Sequence, residues 1–389
     1  MPVWHELTEE WREAEDLVVI GITQEQHPDR CRLFAQWHGI DWPILWDPLN
    51  LTGMSVVPVF TAIDEHGIVQ ATKVRPSTFE ETFLRAEFAA PEETPKYVPR
   101  IHAKLLDEKA PSLQRAYAQL LWGGDKYLDE AVTFLSKNKD PKPEELFRLG
   151  VAQRLRYDSA KTRPGDFQGS IDSWTGALRM NPNQYIWRRR IQQYGPRLDK
   201  PYPFYDWVSE AQAALRESGV EPYPIVVPLT GTEIADGTRA GLAAAEGSKQ
   251  PDADAKIERD EHSLVGIEGA VALHTGGRRA PQRSSARAHL TLRPNAKKDV
   301  HWTNDAGACV VWVDTPEGWV VERNLFQLEA PAKATSSEVR RIDFEISFPD
   351  DHKIGGKLKG YALYYVCEGE SGKCVYKRQD FELTVGAVN

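Results

Sequence analysis

Cysteine is scarce in this chain: Cys31, Cys309, Cys367 and Cys374 are the 4 among 389 residues. That is too few for a disulfide scaffold at this length. No Cys-x-x-Cys occurs, so the short dithiol motif of many redox enzymes is excluded. Long apolar runs are missing too. No stretch reaches the roughly 18 residues a spanning helix needs. Basic charge is in deficit, with 48 Lys and Arg against 57 Asp and Glu and a net charge of −9. A nucleic-acid partner, which would want a basic face, is therefore not expected. The short basic clusters Trp187-Arg188-Arg189-Arg190 and Gly277-Arg278-Arg279 read as solvated surface. His5, His27, His38 and His66 lack ligand spacing, so neither a metal nor a cofactor is expected. The opening Met1-Pro2-Val3-Trp4-His5-Glu6-Leu7 lacks the basic and apolar regions of a signal peptide.

What is present is material for large cores, including 12 Trp, in a chain long enough for two to three domains. The most informative stretch is Tyr364-Tyr365-Val366-Cys367-Glu368-Gly369-Glu370-Ser371-Gly372-Lys373-Cys374-Val375-Tyr376. An apolar run from Tyr361 to Val366 leads in, and the alternating Phe381-Glu382-Leu383-Thr384-Val385 follows. Alternation predicts half-buried strands. Two strands then meet at a turn where two Cα atoms can approach within about 6 Å, close enough for a disulfide. The pair either exchanges electrons with a partner dithiol or staples a loop. Lys373 would favour a thiolate at Cys374, whereas Glu368 and Glu370 would disfavour one at Cys367.

Residues 1–92 predict an α/β layer structure. Val3, Leu7, Trp11 and Ala14 repeat at helical spacing. Leu17 to Ile22 reads as a buried parallel strand. Pro28 opens a helix through His38 that carries Cys31, and Gly39 stops it. Val56 to Asp64 reads as a strand with Pro58 near its start, Glu65-His66-Gly67 as a hairpin turn into Ile68 to Ala71, and Thr78 to Ala86 as a final helix. Val18-Val19-Ile20-Gly21-Ile22, then His38-Gly39-Ile40 with Trp42-Pro43-Ile44-Leu45, then Val57-Pro58 through Gly67-Ile68-Val69 together resemble the thioredoxin-like redoxins, TlpA-type, of the bacterial envelope. The resemblance implies a cis bond before Pro58, beside a redox dithiol. It also exposes a departure. The family carries its Cys-x-x-Cys just before the helix that here starts at Met1. It also has a central strand between those matching 17–22 and 57–63. Neither is in this sequence. One expectation is that Met1 is an internal methionine of a longer product carrying a signal sequence, the strand and the dithiol. The other is a degenerate, non-redox domain. On either account thioredoxin-type chemistry is absent from residues 1–92. Cys31, inside a helix, reads as a core or surface residue, which also argues against a peroxidase.

Residues 93–220 read as helical. Ser112 caps Leu113 to Trp122, Gly123-Gly124 closes it, and Tyr127 to Leu135 follows. Leu146, Leu149, Gly150 and Gln153, then Ser170, Trp174, Ala177 and Pro182, resemble one degenerate tetratricopeptide repeat. That implies a spacer or a protein-docking surface. Residues 221–264 read as an extended segment, Tyr223 to Leu229, and a mobile loop over 237–256. Residues 265–389 carry about seven strand-like runs with turn signals, which suggest a β-sandwich: Val271 to His274, Ala288 to Leu292, Cys309 to Val313, Trp319 to Val321, Ile342 to Phe348, Gly360 to Val366, and Phe381 to Val385. Cys309, in an apolar run, reads as a buried thiol.

The cysteine-bearing run Lys357 to Val385, with His289-Leu290-Thr291-Leu292-Arg293-Pro294 and Ile342-Asp343-Phe344-Glu345-Ile346 upstream, resembles the immunoglobulin-like N-terminal periplasmic domain of DsbD-type disulfide reductases. The family's cysteine pair usually has a slightly shorter spacing. The resemblance implies that a partner thiolate attacks Cys374 and that Cys367 resolves. Two redox resemblances in one chain favour an envelope thiol–disulfide oxidoreductase, periplasmic or otherwise in the bacterial envelope, whose partner is a thioredoxin-like or membrane disulfide reductase. The localisation becomes cytoplasmic if Met1 is the true start. The alternative is a non-catalytic binding or scaffold protein with a structural Cys367–Cys374 disulfide.

Overall fold

A computed structural model describes residues 2–93, 97, 99–194, 204–229, 233, 249–273, 283–328, 330–349, 355–369 and 374–386. It is a mixed α/β chain with several helices and mostly antiparallel sheets. The chain divides into two compact units. The first comprises 1–162, 173–190 and 205–228; the second comprises 163–172, 191–204 and 229–389. Of the expected mobile loop at 237–256, the part up to 248 lies outside the described residues, as do Gly277-Arg278-Arg279, Glu370 and Lys373.

The first unit opens with helix α1 (Pro2–Glu13), whose proline sits in the first turn, where a missing N–H costs nothing. Trp4 of α1 stacks on Phe60 at 4.4 Å and meets Phe79 edge-on at 5.1 Å. Strand β1 (Gly21–Thr23) runs parallel to β2 (Ile44–Trp46), and β3 (Thr61–Ile63) runs antiparallel to β4 (Val69–Thr72). The two pairs form separate two-stranded sheets. Of the expected strand Leu17–Ile22 only Gly21 and Ile22 are in the ladder, which runs on to Thr23, and of Val56–Asp64 only 61–63. Elsewhere these runs make only isolated backbone bonds, such as Asp64 N–H to the Ile68 carbonyl and Val74 N–H to the Phe60 carbonyl, so alternation alone does not make them strands. The β3–β4 turn is closed by Asp64, whose carboxylate accepts the N–H groups of His66 and Ile68 at 2.9 and 2.8 Å. Gly67 takes the positive φ of 80° that this turn requires. The expected final helix is α3 (Pro76–Phe79), continued by a π-helical turn, Glu80–Leu84.

Both small sheets use one face to build a single cluster. Leu17, Val19, Ile44, Ala62 and Ala71 pack with Trp4, Trp42 and Phe79. On the opposite face the alternation leaves Val18 77 % exposed and Ile20 54 % exposed, with Ile22, Leu45, Ile63 and Val69 also in solvent.

The helices α2 (Pro28–Trp37), α4 (Leu113–Trp122), α5 (Leu128–Leu135), α6 (Pro143–Tyr157) and α9 (Trp207–Glu217) complete this unit, together with residues 185–190 of α8 (Tyr185–Tyr194); α7 (Asp166–Met180) comes between α6 and α8 in the chain. Ser112 caps α4 by accepting the Arg115 N–H at 3.1 Å. Polar side chains knit the helical part to the α/β part. Arg190, expected on the surface, is buried, so that reading is corrected. It donates to Gln26, to the Gln24 carbonyl and to the Pro48 carbonyl. The helical period puts it on the same face as Trp187, Ile191 and Tyr194, all buried. Arg148 donates to the Leu49 carbonyl at 2.9 Å. Asp29 accepts the Val226 N–H at 2.8 Å while Arg30 donates to the Val227 carbonyl at 2.9 Å, fixing the extended segment on α2.

The second unit is built on two sheets. One holds β5 (Val265–Leu273), β6 (Arg283–Pro294), β12 (Arg340–Pro349) and β9 (Val320–Val321), in that order. The other has the order β10 (Leu325–Gln327), β8 (Val310–Asp314), β13 (Gly355–Glu368), β7 (Val300–Thr303) and β11 (Thr335–Ser336), with β14 (Cys374–Gly386) also paired to β13. One face of each sheet lines a shared core that includes Leu290, Phe344, Trp302, Val311, Tyr364 and Leu383. Strands β7, β10 and β11 were not anticipated from the sequence. Each is 2 to 4 residues long, too short for a periodicity to register.

Candidate functional site

The cysteine pair sits where β13 and β14 meet. Their register runs unbroken from Gly355↔Gly386 to Cys367↔Cys374. The alternation along β13 fixes which side the cysteines occupy. Leu358, Ala362, Tyr364 and Val366 enter the shared core, so Tyr361, Leu363, Tyr365 and Cys367 project from the outer face. On that face Trp312, Tyr361 and Leu363 form a second cluster with Ile257, Val310, Leu325 and Tyr376. Arg378 lies over the Tyr361 ring at 3.8 Å and binds the Asp252 carboxylate at 2.8 Å, tying residues 252–260 over one end of the face.

At the other end Cys367 and Cys374 are joined by a disulfide, with Cα atoms 4.0 Å apart. Cys367 is 8 % exposed, whereas Cys374 is exposed. Behind them Tyr365 and Tyr376 stack with ring centroids 4.2 Å apart. The Thr303 hydroxyl is 2.9 Å from the Cys367 Sγ. Register places His301 of β7 directly across from Cys367, and its Nε2 is 3.2 Å from the Asp299 carboxylate. The Gly369 N–H donates to the Asp299 carbonyl at 2.9 Å. Glu368 projects from the opposite face of β13 to its neighbour Cys367.

Burial disfavours the thiolate at the other two cysteines. Cys309 is buried in the sandwich core, which pushes its pKa up to about 12 despite nearby Arg340. Burial also raises Cys31 on α2, although the Thr23 hydroxyl opposes the shift. Since the thiolate is the reactive form, neither free cysteine is favoured for thiol chemistry, and the Cys367–Cys374 pair is the candidate site. Pro58 belongs to the first unit, and the Val57–Pro58 bond is cis. Among the described residues no group of three or more His, Cys, Asp or Glu could hold a metal ion. Among the same residues no helix is long and apolar enough to cross a membrane.

Cys367, Cys374 and Pro58 stand out in the sequence, whereas His301, Thr303 and Asp299 do not. The alternation Val300-His301-Trp302-Thr303 was the available signal, and it covers only two periods.

No family model and no curated protein matches the chain. Among solved structures, the GAE domain of yeast GGA1 shares 13 % identity, covering 31 % of this chain and 94 % of that one, with a TM-score of 0.19. The GAE domain of GGA2p from Saccharomyces cerevisiae shares 12 %, covering 32 % and 93 %, also at 0.19. A FixG-related protein from Vibrio parahaemolyticus shares 11 %, covering 30 % and 94 %, at 0.15. Likenesses this weak carry no argument about this chain.

Proposed function

We propose that the chain is a thiol–disulfide exchange protein of the bacterial envelope, in which Cys367 and Cys374 trade electrons with a partner dithiol. The observation that carries this reading is the asymmetry of the pair. An incoming thiolate reaches the exposed Cys374. The sulfur it displaces, on buried Cys367, has a hydroxyl 2.9 Å away to receive it. Exchange needs access at the attacked sulfur and a stabilised leaving group at the other. On the finer fold, residues 1–92 are read as an incomplete thioredoxin-like domain. The parallel β1–β2 pair and the β3–β4 hairpin support this. Residues 93–220 are read as tetratricopeptide-like helices able to dock a protein, and 265–389 as an immunoglobulin-like sandwich of the DsbD type.

The second reading, a binding or scaffold protein with a structural staple, is favoured by the direct cross-strand placement of the pair at a strand end, where a bridge pins a hairpin. A redox titration of the full chain in thiol/disulfide buffers, read by alkylation and peptide mass, separates the two. Opening near about −120 to −230 mV, the range of exchange proteins, supports exchange. A bond still closed below about −300 mV marks a staple and ends the exchange reading.

A further inference from the structure

Register sets three side chains in one row across three adjacent strands: Cys374 on β14, Cys367 on β13 and His301 on β7. Residues directly opposed in this way share a face, with Cβ atoms about 4.5–5.5 Å apart. The row points outward, because Val300, Trp302 and Val366 fill the core side of the same strands. His301 keeps 30 % of its side chain exposed. Asp299, its carboxylate partner, has a left-handed backbone with φ 53°, and its carbonyl accepts the Gly369 N–H two residues beyond Cys367. The strand end that carries the disulfide thus also fixes the residue that orients the imidazole. Of the charged neighbours, Glu368 projects from the other face, and Glu338, just beyond β11, is paired with Arg340 at 2.9 Å.

We propose that His301, oriented by Asp299, is the proton carrier of the exchange and serves Cys367 as leaving group. The proposal rests on the reading of Cys367–Cys374 as an exchanging disulfide. A thiolate of the partner dithiol attacks the Cys374 sulfur and forms a mixed disulfide. The Cys367–Cys374 bond breaks, and its electron pair passes to the Cys367 sulfur. The Thr303 hydroxyl donates to that thiolate, and protonated His301 gives it a proton from Nδ1, leaving neutral imidazole. The partner's second thiolate then attacks the partner sulfur of the mixed disulfide. Cys374 departs with the electron pair and takes a proton from water. The partner dithiol ends as a disulfide, and the Cys367–Cys374 bond ends as two thiols. In the opposite direction His301 takes the Cys367 proton and generates the thiolate. Bonding between Asp299 and Nε2 leaves Nδ1 to carry the proton.

The test uses the full chain and dithiothreitol as the dithiol. Reduction of the disulfide, and its re-formation with oxidised dithiothreitol, are timed by acid quench and alkylation in wild type, H301Q and H301A. H301Q is expected to slow both directions by the same factor, on the order of 10²-fold, the lower end of what a positioned proton carrier supplies. The equilibrium ratio of the two forms should stay at its wild-type value. Imidazole in the buffer should restore part of the rate of H301A. A structural role predicts something else: unequal changes in the two directions, a shifted equilibrium and no rescue. That result, or H301Q at wild-type rates in both directions, overturns the proposal. H301N replaces H301Q should the latter fail to fold. A wild-type disulfide that dithiothreitol leaves intact overturns the exchange reading itself, which distinguishes the two failures.

Discussion

Two β regions of this chain obey the same alternation and meet different fates. In the second unit, inward residues from both sheets fill one core, and the outer face of β13 carries its own cluster and the cysteine pair. In the first unit, one face of each small sheet is packed against Trp4, Trp42 and Phe79, while Val18, Ile20 and Ile22 stand in solvent. Alternation says which side chains share a face; only a second layer makes a face into a core. Exposed contiguous apolar surface marks a place of association or of instability. The sandwich is therefore expected to be the more stable of the two units, and its stability should depend most on single core residues.

The sharpest way to break that comparison is Phe344→Ala. Phe344 is fully buried, and truncation should cost about 3–5 kcal/mol, read by urea unfolding. A loss no larger than that of an exposed-face variant would mean that the sandwich core is not what holds the second unit. Next is Arg190→Met in the first unit. It removes a buried charged donor from the Gln24 and Pro48 carbonyls and should cost about 2–3 kcal/mol. Unfolding of the helical and α/β parts as separate transitions in this variant would show that Arg190 couples them.

Third is removal of the disulfide by Cys367→Ser with Cys374→Ser. The closed loop is short, with a sequence separation of 7, so the loss should be near about 2 kcal/mol, the low end for a bridge. Thermal melts of the double variant against wild type check it.

Fourth is an acid dependence confined to the first unit. Burial lowers the His27 pKa below 6.5, although Asp158, 3.1 Å away, opposes the shift. His27 is thus neutral in the fold, and the unfolded chain binds a proton below about pH 6.5 that the folded chain refuses. Burial alone would raise Asp158, but Arg154 and His27 hold its carboxyl below its ordinary 3.8. Its contribution is present above that value and is lost as pH falls through the folded value. Both effects make stability fall with pH. Melting of the first unit should drop from about pH 7 to pH 4, and His27→Gln should flatten the upper part of that fall. The smallest effect is Ile20→Thr on the exposed face: within about 0.5 kcal/mol in stability, with weaker self-association in sedimentation.

Legibility followed the length of each pattern. The ten-residue helix Leu113–Trp122 with its Ser112 cap and Gly stop was readable, because capping is local chemistry. So was the hairpin turn at Glu65-His66-Gly67, although the capping role of Asp64 was not. The strands around Leu290 and Phe344 were readable as strand-like runs and the one around Leu363 as an apolar run, but β14 extends well upstream of the expected Phe381. The charges of Arg378 and Asp380 on its outer face, and of Lys377 on the other, masked the pattern. Arg190 was misread because a run of three arginines looks like surface, and only packing showed that one of them turns inward.

The residues by themselves determined the local statements: where chain direction changes, which side chains alternate, and that two cysteines flank a turn between strands. These follow from backbone geometry within a few positions. Tertiary structure decided the rest. It put Thr303 against a sulfur 64 positions away, placed His301 across from Cys367, buried one cysteine and exposed the other. Strand neighbours are chosen by the collective packing of two sheets, and no short stretch of sequence contains that choice.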